Sequence, residues 1–295
     1  MEFRPFRVQL GTTFRGVRER AGVLIKDRDP EGAVAWGEFS PFPNYTPAQR
    51  QRWWNAALEA ARGDWPAPVR DTVAVSSIVP EVTARQAGGY ATAGGCRTAK
   101  VKVGGGSSLR EDAQRVEAAA AALGPHGKVR IDANGAWDVD DAVRALATLE
   151  LAAHDGGVDG LEYAEQPCAT IAELAQLRRR VDTLIAADES IRLPDDPLEV
   201  VRAEAADILV LKVAPLGGVR ACLRIAEHTG LPIVVSSAME SSVGLMGGVA
   251  LARALPTLPF ACGLGTGALL TTDTVRETVV PRDGTLGAVT LDVTV

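Results

Sequence analysis

The chain has 295 residues, of which 46% are hydrophobic and 23% charged, and that length and composition predict an ordinary globular protein with one large α/β domain and a smaller partner. Its formal net charge of −6 provides no cationic field for nucleic acid or anionic membrane, and no run approaches the ~18 apolar residues of a membrane helix. Four scattered cysteines (Cys96, Cys168, Cys222, Cys262) without CxxC spacing suit a reducing, cytoplasmic compartment, and three isolated histidines (His126, His154, His228) without a GxSxG elbow argue against a His-rich metal site or a Ser-His-Asp triad.

Residues 1–95 read as an α+β unit. "FRVQL", "AGVLIKD" and "AVAWGEF" have the β-branched and aromatic character of strands, and "TPAQRQRWWNAALEAARG" follows as a helix capped by Thr46 with Pro47 at its first position. From Thr72 a short apolar run alternates with an alanine-rich helical segment. The runs are "TVAVSSIV" (72–79), "TAKVKV" (98–103), "KVRID" (128–132), "GLEYAE" (160–165), "LIAAD" (184–188), "DILVLK" (207–212), "PIVVSS" (232–237) and "FACGLG" (260–265). Such alternation predicts a parallel sheet covered by its crossover helices. A doubly wound open sheet fits the alternation too, but Lys102, Asp132, Glu165, Asp188 and Lys212 fall at or near the C-terminal ends of successive runs, and only a closed ring gathers those ends at one mouth. The expected fold is therefore α/β, a modified TIM-type (β/α) barrel over about 72–274 with an α+β capping domain over 1–95. "LGAVTLDV" (286–293) reads as a strand pair that completes the cap with the segment 275–295.

Lys100 and Lys102 share one face of their strand, and the apolar Ala99, Val101 and Val103 claim the helix side, so the lysines point into the barrel. Ammonium groups there need anions. Asp132, Glu165 and Asp188 arrive on the next three strands as an all-oxygen set suited to Mg²⁺, with Mn²⁺ a possible substitute, and Lys212 follows from the strand roughly opposite Lys102. A base on one face, a cation on the other and a metal between them suit removal of a proton next to a carboxylate, whose enolic dianion needs a divalent cation. The neighbouring Lys100 ammonium is expected to help bring Lys102 from the usual lysine pKa of ~10.4 toward the range of a working base.

With these residues in place the sequence resembles the enolase superfamily, in the subgroup similar to muconate lactonizing enzyme. The motifs KxK, DxN, ExP, DE and a final lysine read here as Lys100-Val101-Lys102, Asp132-Ala133-Asn134, Glu165-Gln166-Pro167, Asp188-Glu189 and Lys212. "WGEFSPFP" near Trp36 is similar to the end of that family's capping strands, so the resemblance spans nearly the whole chain. Within the group, "AKVKVG", "VRIDANGAW", "AEQPC" and "SSAMESSVG" are most similar to the dehydratases that form o-succinylbenzoate in menaquinone biosynthesis.

That resemblance implies a lyase dehydrating 2-succinyl-6-hydroxy-2,4-cyclohexadiene-1-carboxylate. Lys102 would be base and then acid on one face, Lys212 would stabilise the enolic intermediate from the other, and Asp132, Glu165 and Asp188 would hold the metal with Asn134 and Glu189 orienting them. Further substrate contacts are expected from Phe14 in a mobile loop "GTTFRG" (11–16), from Arg130, and from Ser236, Ser237, Gly263 and Gly265 at the last two strand ends, where small residues would equally relieve crowding. An N-acylamino acid racemase or dipeptide epimerase, using the lysines as two bases, and a non-catalytic carboxylate- or metal-binding barrel are the alternatives. The partner expected is a small carboxylate, with oligomeric state left open.

Overall fold

The N-terminal residues form an antiparallel sheet in which β1 (Glu2–Phe14) pairs with β2 (Val17–Arg28), and β2 with β3 (Val34–Phe39). The computed structural model describes residues 1–14 and 17–295, and their side chains except those of residues 12–14. Helix α1 (Pro47–Ala61) starts as its sequence dictates, with the Thr46 hydroxyl accepting from Gln49 N and the Gln49 side chain accepting from Thr46 N. It lies so close to β3 that a Cβ on Gly37 would come within 1.9 Å of the Ala57 carbonyl oxygen, and this approach is what requires glycine there.

Beyond β4 (Thr72–Ala74), seven strands run parallel in chain order: β5 (Ser77–Val79), β6 (Thr98–Lys102), β7 (Lys128–Asp132), β8 (Leu161–Glu165), β9 (Ile185–Ala187), β10 (Ile208–Lys212) and β11 (Ile233–Ser236). The crossovers carry helices α2 (Ala84–Ala91), α3 (Leu109–Leu123), α4 (Val139–Asp155), α5 (Ile171–Arg178), the short α6 (Glu189–Arg192), α7 (Glu199–Arg202) and α8 (Val213–Leu216), and then α9 (Val219–Thr229); α10 (Ser242–Ala254) follows β11. The sheet curls until residues 262–263 bridge its edges. Gly263 N donates to Val235 O at 2.8 Å and Ser76 N donates to Cys262 O at 2.8 Å, so the ring has seven strands and one bridging segment.

Three sequence expectations change. "FACGLG" contributes isolated bridges rather than a strand, because the chain turns into a 3₁₀ helix at Gly265–Leu269 directly afterwards. "TVAVSSIV" is two short strands: β4 pairs antiparallel with β12 (Thr285–Gly287), the closing bridge from Cys262 falls on Val75 between them, and pairing with β6 begins at Ser77. Of "LGAVTLDV" only the start is strand, and Val293 makes a single bridge to Val275. The C-terminal segment nevertheless packs on the N-terminal sheet, with Phe6, Val8 and Leu24 against Leu270, Val275, Leu291 and Val293, and Arg4 donating to Val295 O at 2.6 Å.

The alternation along β6 is as the sequence requires: Ala99 and Val101 are fully buried in the core beneath the helices, and the lysines point inward. Tyr163, Ala186, Ile208, Val210 and Val234, with Phe260, form a separate apolar cluster inside the ring that floors the mouth above. All four cysteines are buried and free. Among the described residues no helix is long and apolar enough to cross a membrane.

Candidate active site

The strands end in tight turns that aim polar side chains at a common centre. After Asp132 the backbone passes through Asn134 at φ 49°, and after Glu165 through Gln166 at φ 41°, both in the left-handed region that non-glycine residues seldom enter. Local hydrogen bonds hold these turns: Asn134 N donates to Asp132 Oδ1 at 3.1 Å. Gln166 Oε1 accepts from Asp188 N at 3.1 Å and Ser190 N at 3.2 Å, so the residue after one carboxylate locks the loop of the next.

Within the mouth, Lys100 Nζ donates to Asp132 Oδ2 and Glu165 Oε1, each at 2.8 Å. Lys102 Nζ donates to Asp132 Oδ2 at 2.5 Å and Asn134 Oδ1 at 2.7 Å. Lys212 Nζ donates to Asp188 Oδ2 at 2.7 Å, and Asn134 Nδ2 reaches Glu189 Oε1 at 3.4 Å. The Lys102 side chain is 17% exposed against 9% for Lys100 and Lys212, which makes it the most accessible ammonium of the three. β6 and β10 lie four strands apart in a ring of seven strands and one bridging segment, so Lys102 and Lys212 face each other across the mouth.

Burial works against every charge here, and the neighbours decide the outcome. Burial alone would raise Asp132, but Lys100 and Lys102 hold it well below the usual carboxylate range; Arg192 and Lys212 do the same for Asp188. Burial, reinforced by Asp132 and Asp188, pushes Glu165 up to about 7 despite Lys100. Lys100 is raised, because Asp132 and Glu165 outweigh its desolvation, and Lys212 is lowered, chiefly by burial against the pull of Asp188.

The donor set suits a hard divalent cation. Asp132, Glu165 and Asp188 present oxygens alone, all three carboxylates buried at the ends of their strands. The three do not close into a cage here: among the described residues no three His, Cys, Asp or Glu side chains stand together as a metal site, since each of these carboxylates is turned to an ammonium or guanidinium.

The other sequence candidates fall in different places. Arg130 lies one layer below Asp132, 1% exposed, donating to Glu162, to the Tyr163 hydroxyl at 2.8 Å and to Ala261 O at 2.8 Å, so its guanidinium braces the barrel floor. Ser236 and Ser237 are buried at the rim, where the Ser237 hydroxyl meets that of Thr266 at 2.8 Å. A Cβ on Gly263 would stand 2.6 Å from Ser236 Oγ, and one on Gly265 would stand 3.0 Å from Ser76 O, so crowding accounts for both glycines. The side chain of Phe14 lies outside the described residues, as do Arg15 and Gly16. The stretch expected as a mobile loop is strand as far as Phe14.

Residues 6–61 match the family enolase N-terminal domain-like, and residues 82–290 match enolase C-terminal domain-like. The chain belongs to the enolase superfamily. Among superfamily members it is 55% identical, over 99% of this chain and 89% of the relative, to a protein of Thermobifida fusca named o-succinylbenzoate synthase. It is 52% identical, over 96% and 83%, to one of the same name from Mycolicibacterium smegmatis. Among solved superfamily structures, the L-Ala-D/L-Glu epimerase from Bacillus subtilis matches with a TM-score of 0.82 at 23% identity, covering 99% of this chain and 96% of that one. A dipeptide epimerase from Enterococcus faecalis, in complex with Mg and a dipeptide, matches at 0.78 and 23%, covering 99% and 96%. Those likenesses establish the superfamily fold.

Several residues around this superfamily mouth were passed over in the sequence. Arg192, four residues beyond Asp188, donates to Asp188, Glu189 and the Tyr45 hydroxyl. Its only sequence signal was that one-turn spacing. Glu38, inside the quoted "WGEF", reaches the N-terminus of α10, accepting from Ser241 N and Gly244 N, and Arg20 donates to Met239 O at 3.2 Å while its guanidinium lies 3.8 Å from the Phe42 ring centre. The contacts of Arg192 with Tyr45, of Glu38 with α10 and of Arg20 with Met239 join residues more than 140 positions apart, a separation at which no local spacing rule reads them.

Proposed function

We propose that the chain is a lyase, an o-succinylbenzoate synthase, which dehydrates 2-succinyl-6-hydroxy-2,4-cyclohexadiene-1-carboxylate. The choice of substrate is supported by the shared name of relatives 51–55% identical over 96–99% of the chain. The observation that carries the mechanism is the pair of lysines facing each other over three buried carboxylates.

In this reading Lys102 Nζ, in its neutral form, takes the proton from C1, and the C–H electron pair moves into the ring and carboxylate oxygens. That pair then forms the C1–C6 double bond as the C6–O bond breaks with its own electron pair on oxygen. The Lys102 ammonium returns the proton to that oxygen, so water leaves and the ring becomes aromatic. One lysine serves both events because hydrogen and hydroxyl depart from one face. Lys212, ion-paired with Asp188, opposes the developing negative charge from the other face. A bound Mg²⁺, held by Asp132, Glu165 and Asp188, would supply the charge that stabilises the enolic oxygens. Asn134 keeps Lys102 Nζ directed at the mouth, and Lys100 stays cationic at its base.

The test compares turnover of the cyclohexadiene with racemisation of an N-succinyl amino acid, with and without a chelator. Rapid dehydration that chelation abolishes and Mg²⁺ restores is the expected result. Racemisation without dehydration would assign the site to the epimerase branch, and full turnover after exhaustive chelation would remove the metal from the account.

A further inference from the structure

Arg192 stands where the barrel, one proposed ligand and the segment leading into α1 meet, and the reaction as written leaves it idle. It follows Asp188 by four residues on α6, is 3% exposed, and gives each edge of its guanidinium to a different group. Nε donates to Asp188 Oδ1 at 2.9 Å, one terminal nitrogen donates to Glu189 Oε1 at 2.7 Å, and the other donates to the Tyr45 hydroxyl at 2.7 Å. Tyr45 is held in turn between Phe42 and Trp53, with ring centres 6.2 and 6.0 Å away.

Charge is a poor reason for this arrangement. Lys212 already pairs with the second oxygen of Asp188 at 2.7 Å, and another cation on that carboxylate competes with any metal ion it is to hold. What arginine adds, and lysine does not, is a planar fork with fixed donor directions. We propose that Arg192 is a positioning residue that sets the Asp188 carboxylate and the Glu189 side chain in the orientation that receives the divalent ion, and that Tyr45 ties this orientation to the segment preceding α1. The proposal rests on the reading of Asp188 as a metal ligand.

The experiment measures Mn²⁺ affinity by electron paramagnetic resonance on the full-length, metal-stripped protein and its variants. Arg192→Lys keeps the charge and loses the fork. A geometric role lowers Mn²⁺ affinity about tenfold or more, the range found when supports of metal ligands are removed. Tyr45→Phe removes one oxygen, keeps the ring, and is expected to weaken Mn²⁺ severalfold in the same direction. It should raise the metal concentration for half-maximal activity more than it lowers kcat. If wild type binds Mn²⁺ and both variants bind it within twofold as tightly, the proposal is overturned and Asp188 keeps its role. If Asp188→Asn binds Mn²⁺ like wild type, the underlying reading falls and the proposal with it. Should Arg192→Lys not fold, Tyr45→Phe decides alone.

Discussion

Glu240 is a buried carboxyl that the chemistry does not use, and its surroundings set a pH dependence. It is 5% exposed, accepts from Ala238 N at 2.6 Å, and faces Glu38 and Arg20; burial first, and then Glu38, push it up to about 7. An unfolded glutamate releases its proton near 4.5, so between about 4.5 and 7 the folded chain holds one that the unfolded chain has lost. Stability therefore falls as pH rises through that window, by ~3 kcal/mol at ~1.4 kcal/mol per pKa unit. Glu240→Gln should make this limb shallower in the metal-free protein, where Glu165 carries a second share of it, melting above wild type at pH 8 and close to it at pH 5. An unchanged pH slope would contradict the assignment. Asp188→Asn should lower divalent affinity and activity together, which calorimetric titration beside a rate assay would check. At this scale the sequence was most legible where strand alternation fixes direction: Lys100 and Lys102 had to point inward once Ala99 and Val101 took the helix side. It was least legible for Arg192 and Glu240, whose roles depend on neighbours supplied from other parts of the chain.

Among the elements, α10 depends on a carboxylate from another sheet. Glu38 of β3 is 4% exposed and accepts from Ser241 N at 3.1 Å, from the Ser241 hydroxyl and from Gly244 N at 3.0 Å, serving donors that an isolated helix start leaves unmet. A Cβ on Gly244 would come within 2.9 Å of Glu38 Oε2, so the cap needs glycine at that position. Glu38→Ala orphans buried N–H groups and is expected to cost ~2–4 kcal/mol in chemical denaturation, with Glu38→Gln milder because an amide oxygen still accepts. A loss below ~0.5 kcal/mol, the size of an ordinary surface substitution, would contradict that role. Elements were legible where period and caps agree, as in α1 with Thr46 and Pro47 or β7 in "KVRID". "TVAVSSIV" was misread because an apolar run does not tell which sheet each half joins; its partner, β12, lies more than 200 residues away.

For the molecule as a whole, the barrel could be inferred because its strand ends carry charges that need a common centre, whereas closure through 262–263 and the C-terminal packing on β1 and β2 depend on contacts between chain ends. Deleting residues from Thr285 onward removes the partner of β4 and the packing of Leu291 and Val293 on the N-terminal sheet, so residues 1–28 should lose hydrogen-exchange protection; unchanged protection would show that the sheet stands without it. The central claim is that one lysine performs both proton events while the other acts through its charge. It is tested most directly by dehydration rates of the cyclohexadiene in Lys102→Arg beside Lys212→Arg at saturating Mg²⁺. The account predicts a loss of at least ~10²–10⁴-fold in Lys102→Arg, the scale of general acid–base catalysis, and a clearly smaller loss in Lys212→Arg, where a positive charge remains. Equal losses in the two variants, or a greater loss in Lys212→Arg, would contradict it.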